Sequence, residues 1–328
     1  MKAGAEMKED TIKQFKKARA FVSKEQCRIE LPLPSNIGKK EGKLVTVYLG
    51  EENTLFNLID IHSTDIPQYI ANPVKRAKEL KINYCAKGRC ELRLKSGECT
   101  YLTAGEIAID TGQAESSFYY PSGEYIGYEV IVSIEAEKTE QPKEALPASL
   151  FLYKYFEGQA RPWIRTAGKF ISGFYDTFKY YTEEKIGNEL ISLKCMELLT
   201  YLTKSDFEQV TVRRPYYTAS QTAIAKRVKE LICSDLSVRY AARELAERFG
   251  VSETSLKNYF HSVYGCGYAD FQQRVRMEKA AELLKKTAQK IADIALTVGF
   301  VTQAKFGAAF KAYFGSTPLE YRRQHRLG

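Results

Sequence analysis

The feature that most constrains this chain is a unit of about twenty-five residues written twice near its C-terminal end. The first copy reads AARELAERFGVSETSLKNYFHSVYG (residues 241–265). The second reads IADIALTVGFVTQAKFGAAFKAYFG (residues 291–315). Leu245 and Ala246 correspond to Ile294 and Ala295 at an offset of 49, and Gly250 corresponds to Gly299. Beyond the glycine the offset is 50, pairing Ser252 with Thr302, Leu256 with Phe306, Phe260 with Phe310 and Gly265 with Gly315. Each copy predicts a short amphipathic helix, a turn opened by glycine, a Ser or Thr N-cap and a second helix. That is a helix-turn-helix, whose second helix lies in the major groove of DNA. Two in tandem, joined by a linking helix, would address neighbouring turns on one face of double-stranded DNA.

Charge points the same way. Residues 213–328 hold 20 Lys and Arg against 10 Asp and Glu, a net of +10, while the remaining 212 residues hold 29 against 30. The whole formal charge of +9 therefore belongs to the duplicated end, as expected of a phosphate-binding module joined to a near-neutral one. A solvated basic surface would give the same count. At 328 residues, two or three domains are expected. No apolar run is long enough to span a bilayer, and the basic N-terminus lacks the apolar segment of a secretory signal, so a cytoplasmic location without membrane attachment is expected. The cysteines number seven, which is odd, and form no close metal-like pairs, which argues against a disulfide framework.

The remaining chain reads as an N-terminal extension (1–35), a strand-rich domain with closing helices (36–205) and a linker (206–217) ahead of the helical domain (218–328). KLVTVYLG, INYCAKG, CELRLKSG, ECTYLTAG and EIAIDTG are short β-rich runs separated by glycines. Cys90, Leu92 and Leu94 alternate with Glu91 and Arg93, the period of a half-buried strand. The spacing predicts an antiparallel barrel or sandwich. FYDTFKYYTEEK and EKIGNELISLKCMELLTYLTKS then read as helices. An apolar stripe runs along Ile186, Leu190, Leu193, Cys195 or Met196, Leu199 and Leu202, and serves as core or as a helix–helix interface.

At this point the residues resemble AraC/XylS-type bacterial transcription regulators. IADIALTVGFVTQAKFGAAFKAYFGSTPLEYRR (291–323) follows the family signature, with Ile294-Ala295, Gly299-Phe300, Phe306, Phe310, Phe314-Gly315, Pro318 and Tyr321-Arg322 in order. Arg276, Ala280 and Leu283-Leu284 match the linking helix. NYCAKGRCELRLKSGECTYLTAGEIAID is similar to the cupin-like effector and dimerisation domain that often precedes such modules, and ISLKCMELLTYL resembles its closing, dimerising helix. The resemblance implies an α+β protein: an N-terminal antiparallel β-barrel with following helices, then an all-α tandem helix-turn-helix domain. It also implies a homodimer, paired through Ile186, Leu190, Leu193 and Leu199.

In the first recognition helix Leu256, Phe260 and Val263 must face the core, which leaves Thr254, Lys257, Asn258 and His261 on the opposite face. By the resemblance, Thr254, Lys257 and Asn258 fall where the family contacts bases and phosphates. Lysine can donate to guanine or phosphate and asparagine can pair with adenine. The family often has arginine at position 258 and a long polar residue at 308. Here Gly307, Ala308 and Ala309 reach no base edge, so the second helix is left with Gln303, Lys305, Lys311 and backbone contacts. Ser252 and Thr302 are the expected N-caps, with free helix N–H groups beside them for phosphate.

The strand-rich domain is either a sensor or an enzyme. His62, His261 and His325 are the chain's three histidines, and two lie in the helical domain, so a His-rich metal centre cannot be assembled. No catalytic residue, metal or cofactor is assigned. Cys85, Cys90 and Cys99 read first as small core residues, with thiol sensing as the alternative. Tyr84, Phe118, Tyr120, Tyr125 and Tyr128 either line an effector pocket or pack the barrel. The expected protein is a sequence-specific DNA-binding regulator that senses a small-molecule effector, with RNA polymerase a further candidate partner. The alternative is a regulator controlled by a protein partner with no small-molecule effector.

Overall fold

The computed structural model describes residues 27–33, 41–49, 53–64, 78–112, 114–116, 119–134, 147–207 and 214–325. The chain divides into two compact units after Tyr216.

In the first unit, runs rich in Val, Ile, Leu and Tyr form β1 (Cys27–Leu33), β2 (Gly42–Leu49), β3 (Thr54–Ile61), β4 (Glu79–Leu94), β5 (Cys99–Thr103), β6 (Glu106–Asp110), β7 (Ala114–Ser116), β8 (Tyr125–Ser133) and β9 (Trp163–Thr166). Three helices complete it: α1 (Ala148–Phe156), α2 (Lys169–Glu183) and α3 (Asn188–Thr203). All strand pairs are antiparallel, in the order β1-β2-β3-β8-β4-β6-β9, with β5 and β7 also paired to β4.

The sheet is not closed among the described residues: β1 and β9 end the order without meeting. The predicted barrel is thus an open sheet, and β4 departs from the reading as well. Two runs that read as separate strands, INYCAKG and CELRLKSG, are one strand of 16 residues. Its first half pairs with β6 and β8, its second with β5 and β7. The change of partner follows a register shift between Cys85 and Lys87, as bulges bend strands and increase twist. Gly88, at φ +87°, lies just beyond it, and a Cβ there would fall 1.9 Å from the Glu124 carbonyl oxygen. A second correction concerns β1, which lies inside the segment read as an unpatterned extension. Ile29, Leu31 and Leu33 are buried in alternation. Pro32 reads as a breaker but is tolerated because β1 is an edge strand.

Both faces of the sheet are covered. Val45, Val47, Phe56, Ile82, Tyr128 and Val130 pack under the helices against Leu152, Phe174, Phe178, Ile191 and Leu198. Leu31, Leu44, Leu55, Leu102, Tyr125 and Ile131 form a second cluster on the other side. β2 accordingly feeds Val45, Val47 and Leu49 to one cluster and Leu44 and Tyr48 to the other, the period of two in a pleated strand.

The second unit is helical: α4 (Ala219–Ser234), α5 (Ala242–Phe249), α6 (Glu253–Tyr264), α7 (Tyr268–Lys286), α8 (Ile291–Thr297), α9 (Gln303–Phe314) and α10 (Pro318–His325). Thr218 and Gln221 form a reciprocal capping box at the start of α4. α7 is the linking helix. Its Phe271 meets Phe260 of α6 edge-to-face, while Met277, Ala280 and Leu284 pack with Ile294, Phe306 and Phe310. Arg276 of α7 is 6% exposed and donates to the carbonyls of Leu236 (3.0 Å) and Val238 (2.8 Å), tying the loop before α5 to the bridge. Gly299 sits against this knot: a Cβ there would come within 2.6 Å of the Arg276 guanidinium.

Candidate nucleic-acid interface

Each motif is built as the repeat predicts. Gly250 (φ +66°) ends α5 in the left-handed region, and Ser252 Oγ then accepts from the Ser255 N–H (3.1 Å) to open α6. In the second copy Gly299 (φ +79°) makes the turn after α8, and Thr302 Oγ1 accepts from the Lys305 N–H (3.3 Å) to open α9. Leu256, Phe260 and Val263 are buried, as are Phe306 and Phe310; Phe314 is half-buried.

Packing that face inward turns the other to solvent. Ser252, Thr254, Lys257, Asn258 and His261 are exposed on α6 and its cap, as are Thr302, Gln303, Lys305 and Lys311 on α9 and its cap. The two faces differ in reach. Thr254, Lys257 and Asn258 stand where the second copy has Ala304, Gly307 and Ala308. The space before Gly307 is open. One relation was not foreseen: Lys257 Nζ lies 3.2 Å from Glu253 one turn back, so its charge is partly engaged. The i, i+4 spacing of an acid before a lysine carried that signal.

The other assigned residues do not come together. Tyr84 and Tyr128 are tilted ring partners at 5.2 Å in the cluster under the helices, whereas Tyr120 and Tyr125 pair at 5.1 Å in the opposite cluster. They therefore line no single pocket. Phe118 lies outside the described residues. The apolar stripe also splits. The core face of α3 is Ile191, Cys195, Leu198, Leu199 and Leu202. Leu199 is thus buried within the subunit, Ile186 is half-buried before the helix, and Leu190 and Leu193 are 42% and 56% exposed.

Cys85, Cys90 and Cys99 are buried. Burial pushes the Cys85 thiol up to about 12, with Glu106 adding to the rise, and also raises Cys90. Among the described residues no three His, Cys, Asp or Glu side chains are grouped to hold a metal, and no helix is long and apolar enough to cross a membrane. The end of the segment read as a linker is fastened to the first unit. Arg214 donates to the Tyr101 carbonyl (2.7 Å) and to Glu106, Thr100 Oγ1 donates to the Pro215 carbonyl (3.1 Å), and Arg161 lies 3.9 Å over the Tyr216 ring.

Two capped helices bridged by a third define a double-headed DNA-binding module. Residues 245–324 match a family model described as a helix-turn-helix domain. The chain is 30% identical over 106 residues to the HTH-type transcriptional activator AarP of Providencia stuartii, covering 32% of this chain and 78% of that protein. It is 22% identical over 251 residues to the transcriptional activator AggR of Escherichia coli, covering 75% of this chain and 91% of that one. Two other curated relatives are spanned over only 38% and 35% of their own length. A solved structure, the C-terminal domain of AraT, a response regulator from Geobacillus stearothermophilus, is similar at 34% identity and a TM-score of 0.31, covering 32% of this chain and 88% of that one. The chain carries the helix-turn-helix domain of these regulators and belongs to the AraC family.

Proposed function

We propose that the chain is a one-component regulator in the cytoplasm: the first unit senses a small effector and pairs with a second copy, and the second unit binds promoter DNA beside RNA polymerase. The observation that carries the reading is the concentration of positive charge, 18 Lys and Arg against 10 Asp and Glu over residues 217–328, on the module with two capped recognition helices. Ser252, Thr254, Lys257 and Asn258 then carry most of the base and phosphate contacts, and Thr302, Gln303, Lys305 and Lys311 position the second helix on phosphates. The exposed Leu190 and Leu193 on α3 form the centre of the subunit interface, because apolar surface gains about 25 cal/mol per Å² on burial. Effector binding shifts DNA affinity by binding one of two states more tightly.

Gel-shift titration of the full chain at several salt concentrations tests the DNA reading. The logarithm of the binding constant should fall linearly with log salt, with a slope of about −0.9 per phosphate contact. A salt-insensitive complex would remove it. A screen for metabolites that shift the full chain's melting temperature and its DNA affinity tests the sensing role. A response only to a co-purifying protein would replace the effector with a protein partner.

A further inference from the structure

α9 is the second recognition helix of the DNA-binding domain, yet its solvent face carries little that can form a hydrogen bond. Ala304, Gly307 and Ala308 occupy the places of Thr254, Lys257 and Asn258, and both alanines are exposed. Val301, just ahead of the Thr302 cap, is 84% exposed. The register of the two copies explains it. The Phe300 N–H donates to the Ala295 carbonyl (2.8 Å) as the Val251 N–H donates to that of Ala246 (3.0 Å). Phe300 is therefore the counterpart of Val251, and Val301 is the residue added in the second copy. Phe300 also meets the Phe306 ring edge-to-face at 5.6 Å. It takes the contact with the fourth helical residue that the residue before a cap commonly makes, and Val301 is left in solvent.

Gly307 has no explanation inside the fold. Glycine within a helix is less favourable than alanine and is used where another group must approach the backbone closely. A Cβ at Gly307 would meet no neighbouring group within 4 Å, so nothing in its own domain requires the glycine. Its place in the repeat is that of Lys257, on the face turned away from the core. What glycine permits there is close approach to something outside the domain, and for a recognition helix that is the floor of the major groove. Every base pair shows donors and acceptors there, but only thymine adds an apolar group, the C5 methyl, which alanine can contact. Alanine and valine side chains offer no bond to the polar edges of the other bases, and leaving those edges dry is costly.

We propose that α9 reads thymine. Ala304 and Ala308, with Val301 at the mouth of the helix, pack on thymine C5 methyl groups, and Gly307 lets the backbone come close enough for them to do so. Gln303, Lys305 and Lys311 are left for phosphate. The inference rests on the DNA-binding function of the domain and adds what the second half of its site contains. One half is read through hydrogen bonds by Thr254, Lys257 and Asn258, and the other through methyl contacts. The thymine bias is weaker than bidentate pairing, about two- to fourfold for each methyl group buried.

The test uses duplex sites selected from random DNA by the full chain. The half opposite α9 is the one away from the half that Asn258→Ala relaxes. Its thymines are replaced by deoxyuridine, which removes the methyl and keeps every hydrogen-bonding group. Affinity should fall about two- to fourfold per contacted methyl, with the salt dependence unchanged. Ala304→Ser with Ala308→Ser puts hydroxyls on an exposed face, keeps the fold, and should bind thymine and uracil sites alike. Gly307→Leu should leave the melting temperature unchanged or raise it, because leucine favours a helix and the space is open, while weakening DNA binding several-fold and erasing the methyl effect. A selected half without thymine, a uracil site bound as tightly as its thymine parent, or a methyl effect that survives in the double serine variant overturns the proposal. Salt-sensitive binding in any of those cases leaves the DNA-binding function standing. Absence of salt-sensitive binding to any duplex would remove that function, and this inference with it.

Discussion

Asn258→Ala should cost far more than any single truncation on α9, and the reason is reach. Asn258 is exposed, and its amide can make two hydrogen bonds to an adenine. A bidentate pair of that kind discriminates by about 1–3 kcal/mol, or about 5- to 150-fold in affinity. The equivalent residue of the second copy is Ala308, and its neighbour Gly307 ends at the backbone. Gln303→Ala removes the one long uncharged side chain at the start of α9 and should cost under about 1 kcal/mol, as one neutral hydrogen bond does. Lys257 falls between, because it must leave Glu253 at 3.2 Å to reach phosphate. An exposed i, i+4 pair is worth about 0.3–0.5 kcal/mol, so Glu253→Gln should raise affinity about twofold or more without changing preference. Selection of binding sites from random DNA, followed by titration of the variants, measures all of this. Base preference should be concentrated in the half facing residues 252–264. Equal information in both halves, or a dominant half opposite residues 302–314, would refute the argument from reach.

Leu193→Lys should dissociate the proposed dimer with little change in melting temperature, because Leu193 is 56% exposed, whereas Leu199→Lys buries an unpaired charge and should unfold the first unit; sedimentation and thermal melts tell them apart. Arg276→Met removes two hydrogen bonds and leaves the Leu236 carbonyl unpaired, while Val238 keeps the Gln272 amide at 3.2 Å; a loss of about 2–4 kcal/mol in denaturant titration is expected, and a loss under about 1 kcal/mol would mean the knot is dispensable. With its thiol near 12, Cys85 stays protonated at neutral pH and ionises only as pH climbs past that value, so brief alkylation of the native protein should label the exposed Cys233 and spare Cys85 and Cys90; native labelling of Cys85 would restore thiol sensing. Arg214→Met should release residues 214–216 from β5 and β6 and speed hydrogen exchange at Tyr216; unchanged exchange would show that Arg161 and Thr100 suffice.

The helical unit was legible because its sequence contains its own control. Two copies share apolar positions, a glycine and a cap, and what differs between them, Lys257-Asn258 against Gly307-Ala308, stands out against that frame. The sheet offered no such frame. Its strands were visible as β-rich runs, but whether β4 ends or bends at Gly88 depends on the close approach of Glu124, 36 residues away. The aromatic residues of the first unit were grouped by composition, although the sequence held a sharper signal: Tyr125 and Tyr128 are three apart on β8, an odd step that sends them to opposite faces of a strand. The α3 stripe failed for a related reason. Leu190, Leu193 and Ile191, Cys195, Leu198 are both helical spacings, one residue out of phase, and only the docking of α3 against α1 and the sheet chooses between them. Local repetition thus exposes the DNA-binding half, whereas the proposed sensing half depends on long-range contacts. Those contacts are also what a ligand must alter if it is to change DNA affinity.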